Sequence, residues 1–358
     1  MSRKEIDQYT VPRKVSRVRW LDSTSFPAKE LHFITGLHLD GKSDTVALWR
    51  TKNQRQYEIT RSEDIKSTFS PTRIAEAPHR GEILDMRLVE DGQDTFIVTA
   101  SSTGEIGLYK ADIKSDAPLI DRLAVHRHHG FPGLGVAEAT SVSVRPQAFN
   151  EIASVGGDSK LVLMNVENIE KTLQRSERVG AGMSTVCWRS STSLAVATKN
   201  GQIRLYDRRN ITKPVLPPAK DPQRIEPLTS LAQHPTDPHR LVTGNEDGCI
   251  SVWDVRNLSS PEVRSFKVHT SIVWEVLFHP NESDKVISCS QDGTMATLDW
   301  RQAASESILD ASKTRDQRVA TYWSSIRSVL SINSIDYHAR ANALLAGSDS
   351  GGILHSLQ

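Results

Sequence analysis

From Leu241 to Arg256 the chain reads LVTGNEDGCISVWDVR. A short apolar run enters a tight turn at Asp247-Gly248, and a second, alternating run leaves it and ends in Trp253-Asp254. Asp-Gly and Asn-Gly are two-residue hairpin signals, because glycine takes positive φ without steric cost. Working outward, the same grammar recurs as LAVATKNGQIRLYDRR (194–209) and VISCSQDGTMATLDWR (286–301). The turn glycines Gly201, Gly248 and Gly293 lie 47 and 45 residues apart. Weaker copies are IVTASSTGEIGLY with Gly104, IASVGGDSKLVLMNV around Asp158 and LLAGSDSGGILHSL with Gly351, while FITGLHLDGKSDTVALW carries a longer hairpin loop. Another apolar strand precedes each hairpin, from Val15–Trp20 in the first to Leu330–Ile335 in the last.

Seven such units fit within 358 residues. An all-β period near 45 residues with four strands per unit is the signature of a β-propeller. A lone blade cannot bury both faces of its sheet, so blades must stack around an axis. The expectation is one domain over 1–358, with blades near 15–50, 79–110, 139–166, 183–208, 228–256, 269–300 and 329–358. The stretches 51–78, 110–138 and 301–327 read as insertions. The last unit ends after its third strand, and residues 5–12 are expected to supply the fourth, closing the ring and covering a sheet edge.

Composition narrows the function. Lys+Arg number 44 against 43 Asp+Glu, a balance that excludes field-driven binding to nucleic acid or a membrane surface. The apolar fraction of 37% is that of a globular chain. Cys187, Cys249 and Cys289 form no C-x-x-C pair and read as buried hydrophobes, so neither a structural zinc nor a disulfide-linked partner is expected. The N-terminal MSRKEIDQYTVPRK has no apolar signal region and no stretch has spanning length, so an intracellular protein without membrane insertion is expected.

The units resemble the WD40 family over nearly the whole chain. Trp253-Asp254 matches the terminal dipeptide of its repeats, and Tyr206-Asp207 is a near variant. His269, Ser288 and Asp292 match the family's buried His–Ser/Thr–Asp network, with Leu298 in the place of its Trp. His79 occupies the same place in the second unit, and Thr243, Asp247 and Trp253 form the corresponding set in the fifth. The resemblance implies a seven-bladed WD40 β-propeller in which these residues are structural. Within the family, KVSRVRWL (14–21), VALW (46–49), HRGEILDMRL (79–88), VHTSIVWEVLFHP (268–280), SCSQDG (288–293) and SVLSINSIDY (328–337) are similar, in order, to the small WD40 nucleoporins of the Y-shaped nuclear pore complex. That resemblance implies a scaffold docked on an α-solenoid nucleoporin of the short arm. It also implies roles in pore assembly, in transport of mRNA and protein, and at mitotic kinetochores. The alternative is a substrate receptor of a cullin-based ubiquitin ligase, whose W-D-x-R box is matched by Trp253, Asp254 and Arg256.

No catalytic constellation is legible, and no cofactor motif. Asp349-Ser350-Gly351-Gly352 falls where the last unit needs its turn. The insert HRHHGFPGLG (126–135) reads as a surface loop, not a metal site, because no cysteine or carboxylate accompanies its histidines at ligand spacing. Candidate contact residues are therefore on the surface. The residue after the first apolar position of each inner strand gives a neutral ring of Ser16, Leu84, Thr140, Ser184, Thr229, Trp274 and Asn333. Asp85 and Glu275 lie one position further along as its only acids. Leu84, Asp85, Trp274 and Glu275, with Tyr322 and Trp323 at the end of the 301–327 connector, are the expected partner-binding residues.

Overall fold

A computed structural model describes residues 6–21, 30–39, 43–52, 69–91, 94–115, 117–131, 133, 135–146, 149–176, 180–215, 226–257, 262–301, 320–324 and 330–357. Its strands are β1 (Asp7–Thr10), β2 (Lys14–Trp20), β3 (Glu30–His38), β4 (Asp44–Lys52), β5 (Thr72–His79), β6 (Ile83–Asp91), β7 (Asp94–Ser101), β8 (Glu105–Asp112) and β9 (Leu119–Arg127). A small hairpin, β10 (Gly130–Phe131) and β11 (Gly135–Val136), leads to β12 (Ala139–Val144), β13 (Glu151–Gly156), β14 (Leu161–Asn165) and β15 (Thr172–Arg175). The next eight are β16 (Met183–Trp188), β17 (Ser193–Thr198), β18 (Ile203–Asp207), β19 (Asn210–Val215), β20 (Leu228–Gln233), β21 (Arg240–Asn245), β22 (Cys249–Asp254) and β23 (Glu262–Lys267). The last seven are β24 (Val273–Phe278), β25 (Lys285–Ser290), β26 (Thr294–Asp299), β27 (Ala320–Ser324), β28 (Ile332–His338), β29 (Ala343–Ser348) and β30 (Gly352–Leu357).

Seven antiparallel four-stranded sheets result, β2–β5, β6–β9, β12–β15, β16–β19, β20–β23, β24–β27 and β28–β30 with β1. The inner strands β2, β6, β12, β16, β20, β24 and β28 each touch the next, and β28 returns to β2, so the sheets form a closed ring. The stretches read as insertions also hold outer strands: β5 lies within 51–78 except for its last residue, His79, β9 within 110–138 and β27 within 301–327.

The core explains why the blades need one another. Each of seven apolar clusters straddles a seam between neighbouring blades. Ala153, Val155, Leu161 and Leu163 of the third blade, for example, pack on Met183, Val186, Val196 and Tyr206 of the fourth. At the closing seam, Val15, Val18, Trp20 and Phe33 of the first blade meet Ala343, Leu345 and Ile353 of the last. Phe69 returns from the connector to stack on His355 at 4.7 Å there.

The N-terminal strand closes the ring as expected. β1 pairs with β30 from Asp7↔His355 to Thr10↔Gly352. The Val11 amide then donates to the Gly351 carbonyl at 2.9 Å. Gly351 turns at φ 77°, and a side chain there would collide with the Val11 carbonyl, so this turn admits only glycine at the point of closure.

Two seam histidines carry a pH dependence. Burial lowers the pKa of His128, whose Nε2 meets the Ile169 carbonyl at 2.6 Å, to about 4. Burial lowers that of His355 to about 4 as well. An unfolded histidine protonates near 6.5, so the stability these groups contribute is complete above that pH and is lost as pH falls toward 4. Each accounts for roughly 3 kcal/mol at most. The urea midpoint should fall steeply between pH 7 and pH 4.5, and a flat profile would contradict the burial of both rings.

Candidate functional site

The channel inside the ring is built from one repeated irregularity. Every inner strand carries a bulge at the same place, falling on Ser16, Leu84, Thr140, Ser184, Thr229, Trp274 and Asn333. These are the seven positions of the expected ring, but several of their side chains serve the next blade. Thr140 Oγ1 donates to the Met183 carbonyl at 2.8 Å, and Asn333 Nδ2 to that of Val15 at 3.2 Å. Trp274 Nε1 donates to Ser331 Oγ at 2.8 Å, and its ring packs on the sixth–seventh seam. Half-buried in this way, Trp274 is a blade-to-blade contact; Leu84 stays half-buried on the channel wall.

The residue after each bulge has a second task. An inner strand has one unpaired edge, and its N–H groups need acceptors. Asp85 Oδ2 accepts from the Val142 amide at 3.1 Å and from Ser141 Oγ at 2.7 Å. Glu275 Oε2 accepts from the Ile335 amide at 3.0 Å and from Ser334 Oγ at 2.8 Å. Ser141 and Ser334 do the same for Val186 and Val18. Two residues further along, Asp336 accepts from the Trp20 amide at 2.6 Å.

These acids converge on a cation that the sequence reading missed. Arg19, on the inner strand of the first blade, is 6% exposed. Its Nη2 lies 2.6 Å from Glu275 Oε1 and 3.5 Å from Asp85 Oδ1, while Nε donates to the Met86 carbonyl at 2.9 Å. Nη1 reaches Ser334 Oγ at 3.1 Å. One guanidinium thus ties the first, second, sixth and seventh blades together. Burial disfavours ionised Asp85, but Arg87, Arg19 and Arg17 outweigh it and hold the carboxyl below its ordinary range. Burial opposes the charge of Glu275 too, and Arg19 and Arg17 prevail. For Asp336 burial wins, and its pKa is raised.

The expectation that Asp85 and Glu275 offer charge to a partner is therefore corrected: both are spent inside the ring. Their signal was legible only as acids at positions filled elsewhere by Ser141, Thr185, Ser230 and Ser334. Cys187, also on the channel wall, has its thiol pushed up to about 12 by burial, so it stays protonated and is a poor nucleophile. Among the described residues no group of three or more His, Cys, Asp or Glu is placed to hold a metal.

The blade networks divide. His269 meets Ser288 Oγ at 2.8 Å and Thr294 Oγ1 at 2.9 Å. Burial opposes the charge of Asp292, yet bonds from His269, Thr294 and the Thr270 amide hold its carboxyl well below the usual range. His79 meets Thr99 Oγ1 at 3.1 Å, with Thr103 standing where Asp292 stands in the sixth blade. Trp253 Nε1 donates to Thr243 Oγ1 at 2.8 Å, and Trp49 repeats this with Thr35 in the first blade.

Asp247, in contrast, is exposed and does not join its blade's network. Its would-be histidine is replaced by Glu226, which pairs with Asn245 at 3.2 Å, and a second carboxylate beside it would be repelled. The surface-loop reading of 126–135 is also corrected at two positions. His128 and His129 are buried, and His129 meets Asp158 Oδ1 at 2.8 Å and Ser154 Oγ at 3.0 Å. Ser154 and Asp158 have the four-residue spacing of Ser288 and Asp292, a signal available in the sequence.

Arg256 turns back on Asp254, with Nε at 2.9 Å and Nη2 at 2.5 Å. Arg209 clasps Asp207 in the same way in the fourth blade, where no tryptophan precedes the pair. The W-D-x-R match thus coincides with a recurrent turn clasp. Tyr322 and Trp323 lie on the outer strand β27, and their side chains are outside the described residues, as are 302–319.

A closed ring of seven four-stranded sheets defines a β-propeller of the WD40-like class. The chain belongs to the family described as the Vps8 beta-propeller, whose model matches residues 160–354. It is 26% identical to mouse nucleoporin Nup43 over 299 residues, covering 82% of this chain and 75% of that protein. Human Nup43 is 26% identical over 318 residues, covering 86% and 78%. The histone acetyltransferase type B subunit 2 of Candida glabrata is 21% identical over 354 residues, covering 94% and 80%.

Proposed function

We propose that this chain is a non-enzymatic scaffold subunit of the nuclear pore complex, at the nuclear envelope. The observation that carries the reading is the similarity to Nup43 of two mammals over more than four-fifths of the chain. The channel supports it, since its ionisable groups bind neighbouring blades together and make the ring a rigid body for presenting surfaces. In the finer reading the chain sits in the Y-shaped outer-ring complex and docks on an α-solenoid nucleoporin of the short arm. There it supports pore assembly and transport of mRNA and protein, and it joins kinetochores in mitosis. Contact through a few apolar anchors, with Leu84 on the channel wall and Tyr322 and Trp323 on β27 as candidates, fits a nearly neutral chain. Co-purification of the endogenous chain with pore subunits tests this assignment against a ligase or chromatin one.

A further inference from the structure

Side chains on each inner strand tie it to the next blade, and these ties are unequal around the ring. In the fullest pattern the bulge residue donates to a carbonyl of the next blade, and the residue after it accepts that blade's free amide. Thr140 and Asn333 make the first contact, to the Met183 and Val15 carbonyls. Asp85, Ser141, Glu275 and Ser334 make the second, to the amides of Val142, Val186, Ile335 and Val18. Between the first and second blades, Arg19 Nε reaches the Met86 carbonyl instead.

Among the described residues, the fourth–fifth seam has neither contact. Ser184 stands where a donor to the Leu228 carbonyl belongs, yet its Oγ is buried without a hydrogen-bond partner. Thr185 stands where an acceptor for the Leu231 amide belongs, yet its Oγ1 turns back to Ser141 Oγ of the third blade, at 3.3 Å. On the other side of the fifth blade Thr229 does reach the Val273 carbonyl, but Ser230 Oγ is again buried without a partner. A buried hydroxyl in that state has given up water for nothing, so each weakens its seam. What joins β16 to β20 lies at their distal ends, where Gln233 Nε2 donates to the Arg189 carbonyl at 3.0 Å. Packing is thin there too. Ala195 and Ala197 face Leu228 and Leu231 of the fifth blade, whereas the same hairpin positions of the sixth carry Ile287 and Cys289, against Ile332 and Ile335. Smaller side chains bury less apolar area against similar partners.

We propose that the ring opens at the fourth–fifth seam: β20 and its blade part from β16 while the other seams stay closed. The open form is a minor state, so the resting ring is the closed body described above. Cys187, Thr229 and Gln233 line the channel on the two sides of this seam, so its parting gives the channel a lateral entrance. The inference goes beyond the scaffold assignment and does not depend on it, because it rests on hydrogen bonds and packing within the ring.

The test compares two seams in one molecule. Cys289 is 0% exposed at the sixth–seventh seam, and Ala197→Cys puts a thiol at the equivalent position of the fourth–fifth seam, where Ala197 is also 0% exposed. In the folded full-length variant, iodoacetamide should label position 197 about tenfold or more faster than Cys289, read peptide by peptide in a mass spectrometer. Global unfolding exposes both thiols alike, so the ratio reports the seam. Adding Ser184→Thr, which copies Thr140 and Thr229, should slow labelling at position 197 about threefold and leave Cys289 unchanged. Hydrogen exchange of the unaltered chain gives an independent reading, with fragments over 228–233 exchanging about tenfold faster than those over 332–338. Equal labelling, faster labelling of Cys289, no slowing by Ser184→Thr, or equal exchange over the two fragments would overturn the proposal.

Discussion

Arg19→Met should destabilise the protein by about 3–5 kcal/mol in urea unfolding, the cost typical of breaking a buried ion pair from one side. The substitution keeps much of the side-chain volume and removes the charge. It leaves Glu275 and Asp85 in the channel without the cation 2.6 and 3.5 Å away, and it also frees the Met86 carbonyl. Four blades lose their common contact at once, so unfolding should stay cooperative while its midpoint moves. Adding Glu275→Gln should recover part of the loss, because the amide side chain no longer needs a counter-charge. Equal midpoints for wild type and Arg19→Met would mean that the seams carry the ring without the channel.

Deletion of residues 1–12 should lower the melting temperature by roughly 10 °C or more. It removes the four-residue ladder of β1 on β30 and the buried Ile6 and Val11. Two such side chains are worth roughly 3–6 kcal/mol together, and each kcal/mol shifts a large domain by about 2–4 °C. It also bares the edge of β30, so the truncated chain should form dimers or larger species by gel filtration. A monomer with unchanged melting would mean that the last blade is complete with three strands.

The two variants probe features that differed in how readable they were. The blade count was visible because Asn200-Gly201, Asp247-Gly248 and Asp292-Gly293 mark hairpins locally, and a hairpin turn depends on two residues. Closure was visible because a three-strand last unit requires a fourth strand from elsewhere. The channel was not visible in the same way. Arg19, Asp85, Glu275 and Asp336 come from the first, second, sixth and seventh blades, and nothing in any one repeat says that a charge there meets an opposite charge on another blade. The seven ring positions read from the sequence coincide with the bulges, and Asp85 and Glu275 were read as its acids, yet their pairing with Arg19 was missed. His129 escaped because it lies in a His- and Gly-rich insert that looks like a loop, although Ser154 and Asp158 wait for it one hairpin later. Asp247 misled for the opposite reason, since its own turn fits the family pattern and only Glu226, twenty-one residues upstream, excludes it.

The measurement that bears most directly on the scaffold assignment is affinity purification of the endogenously tagged chain, read by quantitative mass spectrometry. The account predicts outer-ring nucleoporins at abundances close to that of the bait, in both wild type and Arg256→Ala. Recovery of cullin-ligase subunits that disappears in Arg256→Ala, or of histone acetyltransferase subunits with nucleoporins at background, would contradict it.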